Sequence, residues 1–89
     1  MAKIIKANGE VIENVQPKKG KHFELKELQE IVGGYIENVW LVGGNDIMVI
    51  NEEGKLNDLP YNELATKTAN LRNDYIVGDV IIINRNQIK

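Results

Sequence analysis

The sequence contains no cysteine and no serine, and it has a single histidine, His22. Without cysteine, disulfide bonds, thiolate nucleophiles and thiolate-ligated zinc are excluded. Nucleophilic catalysis of the Ser-His-Asp type has little support, and we interpret His22 as a loop or helix-entry residue. Small secreted domains often depend on disulfides, so their absence favours a reducing compartment, and we expect a cytoplasmic protein.

The sequence also lacks long apolar runs and an excess of positive charge. The apolar run at residues 80–83 is far too short to span a membrane, and the opening residues lack the apolar stretch of a signal peptide. The formal net charge is −2, and we interpret the short basic cluster at residues 18–21 as a solvated loop. We therefore expect neither a membrane nor a nucleic acid as a partner.

Metal and phosphate motifs are missing as well. Asp46 and the carboxylates at residues 52–53 do not match a calcium-loop pattern. The glycine pairs at residues 33–34 and 43–44 do not have the spacing of a phosphate-binding loop. The sequence therefore predicts no metal site, no cofactor, no catalytic residues and no enzymatic activity.

The chain has 89 residues, of which 43% are hydrophobic. This length suits one domain over residues 1–89, because smaller pieces could not bury a core. Association with a second copy is a common way for a small domain to bury more surface, and a sheet edge is one place where it happens. We expect a homo-oligomer, and we assign the exposed sheet edge to the last strand.

The spacing of apolar and turn-forming residues predicts an α+β fold with the order ββ-α-ββ-α-β. We expect a mixed or mostly antiparallel sheet with both helices packed on one face. Asn62 is predicted to cap the second helix, and Gly78 to bend the last strand. The predicted strands are residues 3–6, 11–15, 35–41, 47–50 and 75–84, and the predicted helices are residues 24–32 and a segment from Asn62 to about residue 70.

The predicted core follows from the same spacing. The first helix presents an apolar stripe that includes Leu25, and glycine at residue 33 ends this helix. The second helix is expected to face inward with Leu64, Ala65, Thr68, Ala69 and Leu71. The core residues predicted for the whole chain are Leu28, Ile31, Val32, Ile47, Val49, Leu64, Val80 and Ile82.

Polar residues that suit binding are concentrated in residues 51–62. This segment holds two amides, two adjacent carboxylates, a lysine and a tyrosine. Such a set is able to recognise a polar ring system, because the ring stacks, the amides bond an edge and the lysine meets an anion. A purely structural turn explains the same residues, and the sequence leaves both interpretations open.

Four segments taken in order resemble a known family. They are residues 28–37 (LQEIVGGYIE), 51–56 (NEEGKL), 59–62 (LPYN) and 76–80 (IVGDV). Together they look like a family of small proteins catalogued as a domain of unknown function, with members in bacteriophages, in Firmicutes and in their mobile elements. The resemblance extends from about residue 3 to residue 83.

The resemblance implies a setting rather than a reaction. Small phage-borne domains often sequester a host immune signal, such as a cyclic nucleotide or an ADP-ribose derivative, or block a host protein directly. Our leading hypothesis is a non-enzymatic accessory protein that binds a small nucleotide-like ligand. The alternative is an inhibitor that docks onto a host protein, and the third is a nucleotide hydrolase or lyase.

If the family pattern marks a pocket, the resemblance assigns roles to individual residues. Tyr35 or Tyr61 stacks on the ligand, and Asn51 and Asn62 form hydrogen bonds with its edge. Glu52 binds a ribose or an amine, and Lys55 binds a phosphate. Because aspartate caps helices about as well as asparagine, Asn62→Asp is expected to fold normally. The residues assigned to ligand binding are Tyr35, Asn51, Glu52, Lys55, Tyr61 and Asn62.

Overall fold

The computed structural model describes residues 2–88, and residues 1 and 89 of the predicted domain lie outside the described part. The element order is ββ-α-ββ-α-β, followed by one short 3-10 helix. The elements are β1 (Ala2–Ile5), β2 (Val11–Val15), α1 (Leu25–Val32), β3 (Ile36–Trp40), β4 (Asp46–Asn51), α2 (Glu63–Ala69), β5 (Val80–Asn84) and the 3-10 helix Arg85–Gln87.

The five strands form one sheet in the order β2-β1-β5-β4-β3. Every neighbouring pair in this sheet is antiparallel. The α+β class and the predicted element order are confirmed. The last strand, β5, is the central strand of the sheet, so the prediction that it forms a sheet edge is wrong; the edges are β2 and β3.

The helices lie on opposite faces of the sheet, which corrects the expectation that they share one face. One core cluster joins α1 to Ile47, Val49 and Ile81. The other cluster joins α2 to Met48 and Ile82. Successive side chains of a strand point to opposite faces, so these neighbours in sequence belong to different layers. The run from Val80 to Ile83 is buried throughout because both faces of β5 are covered.

Helix α1 follows the prediction closely. Leu28 and Val32 are buried one turn apart, and Gly33 ends the helix with φ +83°, a conformation that glycine adopts without steric cost. The exposed fraction of Leu25 is 56%, so its inclusion in the predicted apolar stripe of α1 is wrong. Phe23, which precedes the helix, is 1% exposed and belongs to the α1 core cluster.

Helix α2 faces the sheet with its smallest residues. Ala65 and Ala69 are 0% and 4% exposed, whereas Leu64 is 42% exposed. Thr68 and Leu71 are exposed as well, so these three residues were wrongly assigned to the inward face. The two alanines belong to the core cluster that contains Met48 and Ile82, and the exposed leucines lie outside it.

The segment between α2 and β5 does not continue the last strand as predicted. Residues 70–79 instead form an irregular segment in which Val77 forms an isolated bridge with Tyr61, and Gly78 turns the chain into β5 with φ +77°. Gly78 does turn the chain, but it lies before β5 and not inside the last strand as predicted. Over residues 2–88, neither helix has the length and apolar character needed to cross a membrane.

Candidate functional site

A groove of about 250 Å³ lies on the α2 face of the sheet, between the turn that follows β4 and residues 71–77. Its apolar lining includes Val39, Ile50 and Ile76. Polar and charged residues of both flanking segments also line it. We name it the Lys55 groove and define it by Glu37, Asn51, Glu52, Lys55, Leu56, Leu71, Asp74, Tyr75 and the three apolar residues above.

The turn that carries Lys55 is fixed by its own backbone and by Asn51. The Asn51 side-chain oxygen accepts the Glu53 N–H at 2.8 Å, and the Asn51 amide donates to the Val32 carbonyl at 3.1 Å. Gly54 is buried at the centre of this turn, where an added Cβ would lie 2.8 Å from Val77 Cγ2. Glycine therefore lets the turn pack directly against the opposite wall of the groove.

The opposite wall is fixed by Thr66 of α2 and by the Asp74 side chain. The Ile76 N–H donates to Thr66 Oγ1 at 2.8 Å, and the Tyr75 N–H donates to Asp74 Oδ1 at 2.8 Å. Asn70 and Asn73 both have positive φ, which turns the chain after α2. These contacts hold the Tyr75 ring at the groove without a regular secondary-structure element.

An ion pair between Lys55 and Asp74 joins the two walls. The Lys55 ammonium also lies 4.2 Å from the centre of the Tyr75 ring, which is a cation–π distance. The hydrogen bond to Asp74 raises the pKa of Lys55, and the hydrogen bond from Lys55 lowers the pKa of Asp74. Both groups are therefore charged at neutral pH.

Aromatic rings extend beyond the groove along the same side of the protein. The centres of the Tyr61 and Tyr75 rings lie 6.1 Å apart, with a tilt of 55° between their planes. Their exposed fractions are 53% and 46%. Two partly exposed rings beside a groove offer a stacking surface to a planar ligand.

The charge of the groove is negative overall. Glu37, Glu52 and Asp74 contribute three carboxylates, and Lys55 contributes one ammonium that is already paired. Carboxylates accept hydrogen bonds from hydroxyl and amine groups. The same charges repel a ligand that carries several phosphates. Among residues 2–88, no group of three or more histidine, aspartate or glutamate side chains is arranged to hold a metal ion.

The structure brings some of the predicted site residues together and separates others. Asn51, Glu52 and Lys55 line the groove. Tyr61 does not line it but contacts the Tyr75 ring. Tyr35 is 65% exposed outside the groove, and its backbone carbonyl accepts the Glu52 N–H at 2.8 Å.

Asn62 is the N-cap of α2, as predicted, but its environment is structural. Its oxygen accepts the Ala65 N–H, and its amide donates to the carbonyls of Ile5 and Gly78 at 3.0 and 2.8 Å. The residue is 1% exposed. Both amide hydrogens are engaged inside the protein, so we do not carry Asn62 into the proposed ligand site.

Sequence reasoning missed three polar or aromatic residues of the groove, namely Glu37, Asp74 and Tyr75. In the sequence, Glu37 has the pattern of any solvent-facing residue of a strand, and Asp74 lies in the polar segment that was expected to end the second helix. Lys55 and Asp74 are 19 residues apart in the chain, and only the tertiary fold brings them into contact. The sequence carries no local pattern that would have revealed this pair.

The fold and the groove define a class: a small antiparallel α+β domain with a helix on each face of the sheet and an open, acidic groove at one end. The chain belongs to the family described as a domain of unknown function (DUF3846), whose model matches residues 3–88. The predicted resemblance to a family of unknown function is thereby confirmed at this level. The search of the curated proteins and the search of the solved structures found no match.

Proposed function

We propose that this domain is a non-enzymatic binding protein that holds a small nucleotide-like ligand in the Lys55 groove. One observation carries the proposal: an aromatic ring, an ammonium and three carboxylates converge on a groove with an apolar floor. Ligand sites in proteins commonly combine an apolar lining with a few convergent polar groups of this kind.

Each group has a role that its chemistry supports. The Tyr75 ring stacks on the base, and Glu37 or Glu52 accepts hydrogen bonds from a ribose hydroxyl or an exocyclic amine. Lys55 meets a single phosphate by turning away from Asp74, to which it is paired in the free protein. Because both side chains of this pair are about half exposed, breaking the ion pair to bind a phosphate costs little free energy.

The volume and the charge of the groove restrict the kinds of ligand that it can bind. The groove volume of about 250 Å³ is slightly below the range of roughly 300–1,000 Å³ that is usual for small-molecule sites. One base with its ribose fits this space better than a complete dinucleotide. Because carboxylates predominate, we expect the nucleoside part of the ligand, rather than a chain of phosphates, to supply the affinity.

The biological setting belongs to the same proposal. We infer that the protein serves a bacteriophage or a mobile element and removes a nucleotide-derived immune signal of the host from solution. A cyclic nucleotide or an ADP-ribose derivative contains the base and ribose that the groove suits. The support is the resemblance of the chain to phage-borne proteins together with the chemistry of the groove.

Isothermal titration calorimetry tests the proposal with adenosine, guanosine, AMP, ADP-ribose and cyclic dinucleotides as probes. We expect at least one probe to bind, and Tyr75→Ala to weaken that binding by roughly 10- to 100-fold, because a stacking contact of about 1–3 kcal/mol is lost. Tyr35→Ala is the matched control, since it removes an exposed tyrosine outside the groove. Equal affinity of wild type and Tyr75→Ala, or no binding of any probe, would contradict the proposal.

A second candidate function is docking onto a host protein, and one observation favours it. Leu56 lines the groove with 83% of its surface exposed. An exposed leucine next to an acidic groove suits a partner that presents a lysine or arginine beside an apolar residue. In a pull-down from host lysate, we expect the wild type to capture such a partner and Leu56→Asp to lose it.

A further inference from the structure

Strand β3 forms one edge of the sheet, and its outward backbone groups are identifiable. The Glu52 N–H donates to the Tyr35 carbonyl at 2.8 Å, and the Leu41 N–H donates to the Asp46 carbonyl at 3.2 Å. In an antiparallel ladder the residues that bond to the neighbouring strand alternate. Tyr35 and Leu41 therefore face β4, and the N–H and C=O groups of Ile36, Asn38 and Trp40 point away from the sheet.

The two edges of the sheet differ in how they are protected. Strand β2 contains a register shift in its pairing with β1, and its Asn14 has φ +56°, which breaks the regular edge. Strand β3 keeps one register with β4 from Ile36 to Trp40. It contains neither proline nor lysine, the residues that commonly prevent edge pairing.

We propose that β3 pairs with β3 of a second copy of this chain, antiparallel and centred on Asn38. In this arrangement Asn38 lies opposite Asn38 of the second copy, and Ile36 lies opposite Trp40. The outward residues are three, evenly spaced and symmetric about the middle one. Every outward N–H and C=O of β3 therefore finds a partner, and two five-stranded sheets become one continuous sheet.

The side chains agree with this register. Trp40 lies opposite Ile47 of β4, and Ile47 belongs to the α1 core cluster. Because alternate residues of a strand share a face, Ile36, Asn38 and Trp40 all lie on the α1 face of the sheet. The Trp40 side chain is 58% exposed in the single chain, and pairing sets it against the isoleucine of the second copy. An aromatic residue opposite a β-branched residue is a favourable cross-strand pair.

The charge distribution of β3 permits pairing with a second copy in this register. Glu37 is the one charged residue of β3, and it lies opposite Val39 of the second copy rather than opposite its own equivalent. No like charges face each other directly across the new pair. Glu37 and Val39 also line the Lys55 groove, so pairing places the grooves of both copies side by side on the α2 face.

The test uses charge complementation at the symmetry centre. Asn38→Lys alone and Asn38→Asp alone each place like charges directly opposite, and each is expected to weaken dimerisation at least about tenfold. An equimolar mixture of the two variants pairs lysine with aspartate and is expected to dimerise again. Asn38 is exposed and its backbone groups do not bond to β4, so the fold tolerates both changes.

Sedimentation velocity over a wide range of concentration measures the assembly. We expect wild type at twice the 10.0 kDa chain mass, and Glu13→Lys on the opposite edge to behave as wild type. Trp40, the one tryptophan, is expected to shift its emission to longer wavelength as the dimer dissociates. A monomer at all concentrations, an Asn38→Lys variant that dimerises like wild type, or a mixture that stays monomeric would overturn the proposal. None of these results depends on ligand binding.

Discussion

The side chain of Asn62 joins three parts of the chain that are distant in sequence. It caps α2 through Ala65, closes the end of β1 through the Ile5 carbonyl, and holds the turn before β5 through the Gly78 carbonyl. The sequence correctly predicts the cap, because a capping asparagine has a local signature. The two donated bonds have no such signature, since Ile5 lies 57 residues away.

These contacts reverse the expectation that Asn62→Asp folds normally. Aspartate keeps the cap but cannot donate, and it places a negative oxygen against two carbonyl oxygens in a site that is 1% exposed. We expect the free energy of unfolding to fall by about 2–4 kcal/mol, measured by urea denaturation.

Asn84→Asp is the matched control for that measurement. Asn84 also caps a helical turn, and its oxygen accepts the Asn86 N–H at 2.9 Å. Its amide donates no hydrogen bond within residues 2–88, so aspartate keeps the cap; because the new charge lies opposite the exposed Asp46 of β4, we expect a loss of no more than about 1 kcal/mol. Similar stabilities of the two variants would show that the two donated bonds of Asn62 contribute little.

The ion pair of the groove predicts how one carboxyl group titrates. The hydrogen bond from Lys55 holds the pKa of Asp74 below its ordinary value of 3.8. The pair therefore stabilises the fold at neutral pH, and this contribution is lost as the pH falls below 3.8 through the lowered pKa. The contribution is small and sensitive to salt because both side chains are about half exposed.

The change that tests this pair is Lys55→Met. We expect the pKa of Asp74, followed by NMR, to rise toward 3.8 in this variant. Lys67→Met removes the partner of Glu63 in a different ion pair and should leave Asp74 unchanged. An unaltered Asp74 titration in Lys55→Met would remove the ion pair from the description of the groove.

At the scale of elements, local chemistry predicted where most elements begin and end. Helix α1 and strand β2 lie where the spacing and the glycines place them. The face of the sheet on which each helix packs was not predictable in the same way. Residues 80–83 are apolar without alternation, a pattern that is typical of a strand covered on both faces and that indicates a helix on each side of the sheet. Helix α2 was misread because its buried face consists of alanines.

The turn into β5 gives a prediction at the same scale. Gly78 has φ +77°, and an added Cβ would lie 2.8 Å from Leu59 Cδ1, whereas a Cβ at Gly9, with φ +97°, meets nothing within 4 Å. Gly78→Ala therefore adds a steric contact to a conformational cost of about 1–2 kcal/mol that both alanines carry. We expect thermal denaturation to show Gly78→Ala less stable than Gly9→Ala by about 1 kcal/mol. Equal losses would mean that Leu59 moves aside freely.

At the scale of the whole molecule, the groove depends on the order of strands and on the long segment after α2. Glu37 comes from the sheet edge, Lys55 from a turn, and Asp74 from the opposite wall. The sequence predicted the turn as a candidate wall because its polar residues are contiguous. The remaining charges are separated by whole elements, and their convergence follows only from the antiparallel sheet and from the position of residues 71–77 beside the turn that follows β4.

The proposed binding function predicts that the protein depletes its ligand stoichiometrically and does not turn it over. Among the described residues that line it, the Lys55 groove offers carboxylates and the Tyr75 phenol but no serine, threonine or cysteine nucleophile, and its lysine is charged and paired at rest. We expect a probe that binds in calorimetry to be depleted from solution at one molecule per chain and to be recovered intact after heat denaturation, as measured by mass spectrometry. Tyr75→Ala should deplete less of it.

Glu52→Gln should leave the recovered probe equally intact, since Glu52 is assigned to a hydrogen bond and not to proton transfer. Recovery of a cleaved product from wild type, lost in Glu52→Gln, would instead establish a nucleotide hydrolase or lyase.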